Sequence, residues 1–189
     1  ILYLLGVLLN PDNEKLPFPL VMTGPQSAEP YFRRIDDFVG ATLGPDAQRR
    51  YQIIIDDPMA VARAMAAGLE DVLAFRKEHG DAFYFTWRLK ISEQFQRPFV
   101  ATHESMRGLR IDEDQPRHEL AANLRRAFSG IVSGNVREDT AELIERDGPF
   151  EIDGSRRIMG LLDDMLGAFV AQQRMKISSG DYDPCYVIK

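Results

Sequence analysis

Two short β-branched runs, each leading into an amphipathic helix, constrain this chain more than any other feature. Pro17-Phe18-Pro19-Leu20-Val21-Met22-Thr23-Gly24-Pro25 reads as a buried strand, its entry fixed by the prolines and its end marked by Gly24-Pro25. Tyr51-Gln52-Ile53-Ile54-Ile55 reads as a second strand. It runs straight into Asp56-Asp57-Pro58, where Asp57 is placed to cap a helix and Pro58 to open it. Between the strands, Phe32, Ile35, Phe38, Val39 and Leu43 recur at helical spacing, and Gly44-Pro45 stops that helix. After the second strand, Val61, Met65, Leu69, Val72 and Leu73 are predicted to share one helical face. With an apolar helix over Ile1–Leu9 in front, residues 1–75 read helix, strand, helix, strand, helix. That alternation is the pattern of a parallel sheet covered by helices.

Two strands are too few to close such a sheet, and Ile1–Leu9 has no Ser, Thr, Asp or Asn ahead of it to accept the first helical N–H groups. Both features lead us to expect that residue 1 is a break within a longer protein. The run has no basic lead-in or small-residue cleavage site, so it is not a secretory signal. It stops at Asn10-Pro11, well short of the roughly 20 apolar residues of a membrane span.

With 189 residues, 44% of them hydrophobic, the chain suffices for one domain or one and a half. A net charge of −6 argues against a nucleic-acid binder, which would present a basic face. A single cysteine, Cys185, allows no internal disulfide and suits a reducing, cytoplasmic location. His79, His103 and His118 do not stand at metal-ligand spacing, so neither metal nor cofactor is expected. The broad class is an acidic, soluble α/β protein.

Past Gly80 the pattern changes. Phe83, Phe85, Trp87, Leu89 and Ile91 alternate with polar residues as in a half-buried strand, and residues 92–115 read as a long irregular stretch. Helices are predicted from about Pro116 to Ser133, from about Asp139 to Arg146, and through Ile158, Leu162, Met165, Leu166 and Phe169. The tail through Tyr182 and Cys185 reads as an extended strap.

Candidate chemistry is sparse. Thr23 and Gly24 stand where a parallel strand ends, the place where open α/β sheets bind ligands, although a plain strand-to-loop turn is the more ordinary reading. Arg125 flanks the apolar face of its helix and could grip a phosphate, while Arg126 points away from that face; a solvated surface is the plainer reading. His103 beside Glu104 could be an acid/base pair, but neighbours in sequence need not point the same way. Phe83, Phe85 and Trp87 could stack a base, but strand-spaced aromatics usually form core. The carboxylate pairs Asp36-Asp37, Asp56-Asp57 and Asp163-Asp164 diverge on helices or cap them, and no Gly-rich phosphate loop or Gly-x-Ser-x-Gly motif occurs.

Four segments together resemble one family. They are Leu120-Ala-Ala-Asn-Leu-Arg-Arg-Ala-Phe-Ser-Gly-Ile-Val-Ser-Gly-Asn-Val136, Phe18-Pro-Leu-Val-Met-Thr-Gly-Pro25, Ile53-Ile-Ile-Asp-Asp-Pro58 and Phe169-Val-Ala-Gln-Gln-Arg-Met-Lys176. The chain resembles the C-terminal part of bacterial pyrimidine/purine nucleotide 5′-monophosphate nucleosidases, long relatives of the LONELY GUY (LOG) phosphoribohydrolases. The resemblance implies that residues 1–75 are the C-terminal half of a Rossmann-like domain and residues 76–189 a mostly helical extension. It also implies that the family's Pro-Gly-Gly-x-Gly-Thr-x-x-Glu motif and its catalytic Arg lie ahead of Ile1, so that no catalytic residue falls on this chain.

The implied reaction is hydrolysis of the N-glycosidic bond of a nucleoside monophosphate to free base and ribose 5-phosphate. A homo-oligomer and an alarmone nucleotide effector are further implications. The alternatives are that residues 76–189 form a regulatory or assembly module binding an anionic effector through Arg125, Arg126 and His103, or a purely structural extension.

Overall fold

The computed structural model describes residues 1–80, 89–175, 177 and 182–189. The expected alternation is present in its first half. Helix α1 (Leu2–Leu8) is followed by β1 (Val21–Gly24), a short 3₁₀ turn, α2 (Glu29–Leu43), α3 (Pro45–Gln48), β2 (Gln52–Ile55) and α4 (Pro58–Glu78). Strands β1 and β2 pair in parallel, with Val21 opposite Gln52 and Gly24 opposite Ile55. Helix α2 buries Ile35, Phe38, Val39 and Leu43. It ends at Gly44, whose φ of 83° lies in the region that favours glycine. Asp57 caps α4 as expected, its carboxylate accepting the Ala60 N–H at 2.8 Å.

Helix α4 differs from the single buried face predicted for it. Gly68 abuts Pro19 just ahead of β1, and Val61 and Val72 are half-buried. Met59, Met65, Leu69 and Leu73 face solvent, Met59 at 66% and Leu69 at 56% exposure. The helix is therefore apolar on two sides, a composition expected of a helix covered on both.

The second half also departs from expectation. The stretch predicted as irregular contains α5 (Glu93–Gln96), α6 (His103–Arg107) and β3 (Arg110–Ile111). Helix α6 forms because Thr102 and Ser105 cap each other: the Thr102 hydroxyl accepts the Ser105 N–H, and the Ser105 hydroxyl accepts the Thr102 N–H. Next come α7 (Arg117–Val136), α8 (Glu138–Asp147), β4 (Phe150–Gly154), α9 (Arg156–Ala171) and β5 (Tyr186–Ile188). The tail is more than a strap, since β5 pairs in parallel with β4, which pairs in parallel with β3. The predicted strand with Phe83, Phe85 and Trp87 lies outside the described residues.

One core joins both halves, from Leu2, Leu5, Phe38 and Val39 to Leu120, Leu124, Leu162 and Phe169. Small residues make the central crossing close. A Cβ on Gly6 of α1 would stand 2.6 Å from the Phe95 ring and 3.5 Å from the Ala122 backbone nitrogen of α7. Asn13, fully buried, ties the loop after α1 to Lys90. Its amide donates to the Val7 and Lys90 carbonyls and accepts the Lys90 N–H. A buried amide with every such bond made locks two distant segments in one register.

Candidate functional site

Where α1 begins, α2, α7 and α9 converge around a groove of about 450 Å³. Its walls follow from helical spacing. On α7, Phe128, Val132, Arg125, Ser129 and Ser133 fall within an arc of roughly 140° at 100° per residue, so an apolar edge runs beside a polar stripe. Opposite them, α2 contributes Tyr31, Ile35 and Phe38, and α9 contributes Met165 and Phe169. Tyr31 and Phe169 meet at 4.8 Å between ring centroids, tilted by 43°. Arg174, just beyond α9, lays its guanidinium over the Tyr31 ring, 5.4 Å from its centre. At the α1 end, Arg125 sits 5.9 Å from the Tyr3 ring centre, and Tyr3 packs edge-on against Phe95. Aromatic walls with a few convergent polar groups are what a small-molecule pocket needs.

Of the candidate site residues Thr23, Gly24, His103, Arg125 and Arg126, Arg125 alone lines this groove. Thr23 is exposed at the end of β1, and Gly24 is half-buried beside it. A Cβ on Gly24 would come within 3.0 Å of Ala28 and 3.1 Å of Phe32, so glycine lets the start of α2 close over the strand end. The Ser27 carbonyl in that turn accepts a long hydrogen bond from Arg174, linking it to α9. Arg126 is half-buried and is not part of the groove lining. Burial, and then the neighbouring Arg125 charge, draws its guanidinium pKa below the ordinary value.

His103 is held elsewhere. Its Nε2 donates to the Gly148 carbonyl at 2.8 Å, and its ring lies 5.1 Å from Phe150, so it braces the turn between α8 and β4. Arg125, Arg126 and His103 thus face three different surroundings. Tyr3, Tyr31, Ser129 and Ser133 were not among the candidate site residues, and Met165 and Phe169 were read only as the apolar face of a helix. The signal that could have found them is the i, i+4, i+8 polar run Arg125–Ser129–Ser133 alongside an apolar stripe.

A second cavity, about 390 Å³, collects Arg49, Arg50 and Arg117 with Glu14 and Asp46. Arg49 pairs with Asp46, and Arg117 donates to the Thr42 carbonyl at 3.1 Å. Among the described residues, no group of three or more His, Cys, Asp or Glu side chains could hold a metal ion. No helix among them is long and apolar enough to cross a membrane.

A family model described as pyrimidine/purine nucleotide monophosphate nucleosidase, C-terminal, matches residues 69–189. The chain is 49% identical, over 188 residues, to the pyrimidine/purine nucleotide 5′-monophosphate nucleosidase of Escherichia coli K12. The same identity holds for the proteins of that name from the O6:H1 strain CFT073 and from O157:H7. All of this chain is covered in each comparison, and it spans 41% of the length of each relative. The chain belongs to the pyrimidine/purine nucleotide monophosphate nucleosidase family, in the part that the matching model describes as C-terminal.

Proposed function

We propose that this chain is part of an enzyme that hydrolyses the N-glycosidic bond of nucleoside 5′-monophosphates, releasing free base and ribose 5-phosphate. The family match over residues 69–189 carries the reading, and the groove between α1, α2, α7 and α9 supports it as a place for the substrate. In glycoside cleavage a carboxylate stabilises an oxocarbenium-like centre or activates water against it. That carboxylate would come from the segment that the relatives carry outside the matched part. Residues 1–75 would belong to a Rossmann-like, LOG-type domain with Thr23 and Gly24 at its ligand edge. Residues 76–189 would form the extension that walls the site. The solvent-facing stripe of Met59, Met65, Leu69 and Leu73 on α4 favours a homo-oligomer in which that stripe is covered. A reducing cytoplasm is the compartment that suits the lone Cys185.

The test is product analysis with the intact protein. Incubated with AMP and UMP in the presence of EDTA, it should yield adenine or uracil and ribose 5-phosphate in equal amounts. Release of inorganic phosphate and nucleoside instead would replace this reading with a phosphatase. The arginine-lined cavity of Arg49, Arg50 and Arg117 favours a second role, binding of an anionic effector such as an alarmone nucleotide. Calorimetry with Arg50→Ala and Arg125→Ala/Arg126→Ala variants separates the two cationic regions, and unchanged effector affinity in both leaves them structural.

A further inference from the structure

The groove contains more information than its volume. Arg125, Ser129 and Ser133 repeat every four residues, so their side chains form one line about 12 Å long at a rise of about 1.5 Å per residue. That length is of the order of a nucleoside monophosphate. The line runs from cationic to neutral-polar, and the rings of Tyr31 and Phe169, in contact with each other, line the same groove. The Ser129 and Ser133 hydroxyls carry no hydrogen bond to another described residue. Half-buried hydroxyls with no partner among the described residues, on the groove side of α7, are placed to serve a ligand.

Resting on the nucleosidase reading, we propose that the groove is a nucleobase slot of graded polarity, and that Ser129 and Ser133 make it tolerant of different bases. The base lies against Tyr31 and Phe169 with its polar edge toward the two hydroxyls, and the 5′-phosphate lies toward Arg125. Stacking is indifferent to base identity because every base has a π-face. A hydroxyl rotates to donate or to accept, so it matches an amino edge and a carbonyl edge alike. A carboxylate or a fixed amide at either position would choose between them. Arg125 offers the planar fork that suits a phosphate.

Product inhibition of the intact protein reads this arrangement directly, because the two products separate the two ends of the slot. Ser129→Ala and Ser133→Ala should each weaken inhibition by free adenine and by free uracil about three- to tenfold, the loss of one or two ordinary hydrogen bonds. Inhibition by ribose 5-phosphate should not move. Arg125→Gln should do the reverse, weakening ribose 5-phosphate and sparing both bases. A further variant, Ser133→Asp, should shift the AMP/IMP and CMP/UMP ratios of kcat/KM in the same direction, toward the amino-bearing base.

Serine variants that weaken ribose 5-phosphate and spare the bases would overturn the proposed polarity. Variants that move neither inhibitor would show that the base binds elsewhere. In both cases release of base from nucleotides would persist. Absence of base release from the unaltered protein is the separate result that removes the nucleosidase reading itself.

Discussion

Cys185 shows how much local chemistry one residue can gather. Its φ of 51° lies in the left-handed region, which a side chain other than glycine adopts only when its surroundings hold it there. Asn135 supplies part of that hold, donating to the Asp183 carbonyl at 2.7 Å and accepting the Asp183 N–H at 3.0 Å. Burial, and then the negative charges of Asp183 and Asp163, pushes the thiol pKa up to about 12. Nearby, the Tyr182 and Tyr186 phenols both donate to the Asp163 carboxylate, at 2.6 and 2.7 Å. Burial and that carboxylate raise both phenols well above their usual range. Groups raised in the folded state hold protons that the unfolded chain releases earlier, so they favour folding at low pH and cease to as pH rises. Stability should therefore fall steadily from about pH 9 toward pH 12, measured by urea unfolding at stepped pH. A disulfide reagent at pH 8 should leave Cys185 unmodified until the chain is unfolded. Stability that stays level across that interval, or rapid labelling of the folded chain, would contradict the buried position of Cys185.

At the scale of elements, the close crossings depend on small residues that sequence periodicity does not mark. Gly130 on α7 is buried, and a Cβ there would overlap the sulfur of Met106, itself fully buried on α6. Gly130→Ala should destabilise the fold by roughly 1–3 kcal/mol, the usual cost of overpacking a filled core, despite alanine's better helix propensity. Urea unfolding measures it, and a stability gain would mean that Met106 moves aside without cost. Helices α2 and α4 were legible in the sequence because their signals are local: an apolar repeat, a glycine or proline at the end, and Asp57 as cap. Strands β3, β4 and β5 were not, because each is only two to five residues long and exists through a partner distant in sequence. The alternation Phe150, Ile152 within β4 is visible once its partners are known. In the sequence it is too short to distinguish from a loop.

For the whole molecule, the relevant fact is that one core runs through residues from Leu2 to Cys185. The groove belongs to that core's open end, built by four helices from both halves of the chain. Its members are therefore not legible from any one helix. Each of Tyr31, Met165 and Phe169 looks like ordinary core on its own helix, and only assembly brings them into one groove lining with Ser129 and Ser133. Arg125 is the exception, legible because its place beside the apolar face follows from helical spacing alone. The family resemblance was readable for a different reason, since it rests on runs of identical residues and needs no knowledge of their packing.

The central claim is that this groove receives a nucleoside monophosphate, and methionine methyl resonances test it most directly. Met165 lines the groove, Met106 is buried away from it under Gly130, and Met59 stands exposed on α4. Titration of the methyl-labelled protein with AMP and with UMP should shift the Met165 signal, saturably and with both nucleotides, while Met59 stays still. A saturable shift at Met59 with Met165 unmoved would place the nucleotide elsewhere and contradict the account.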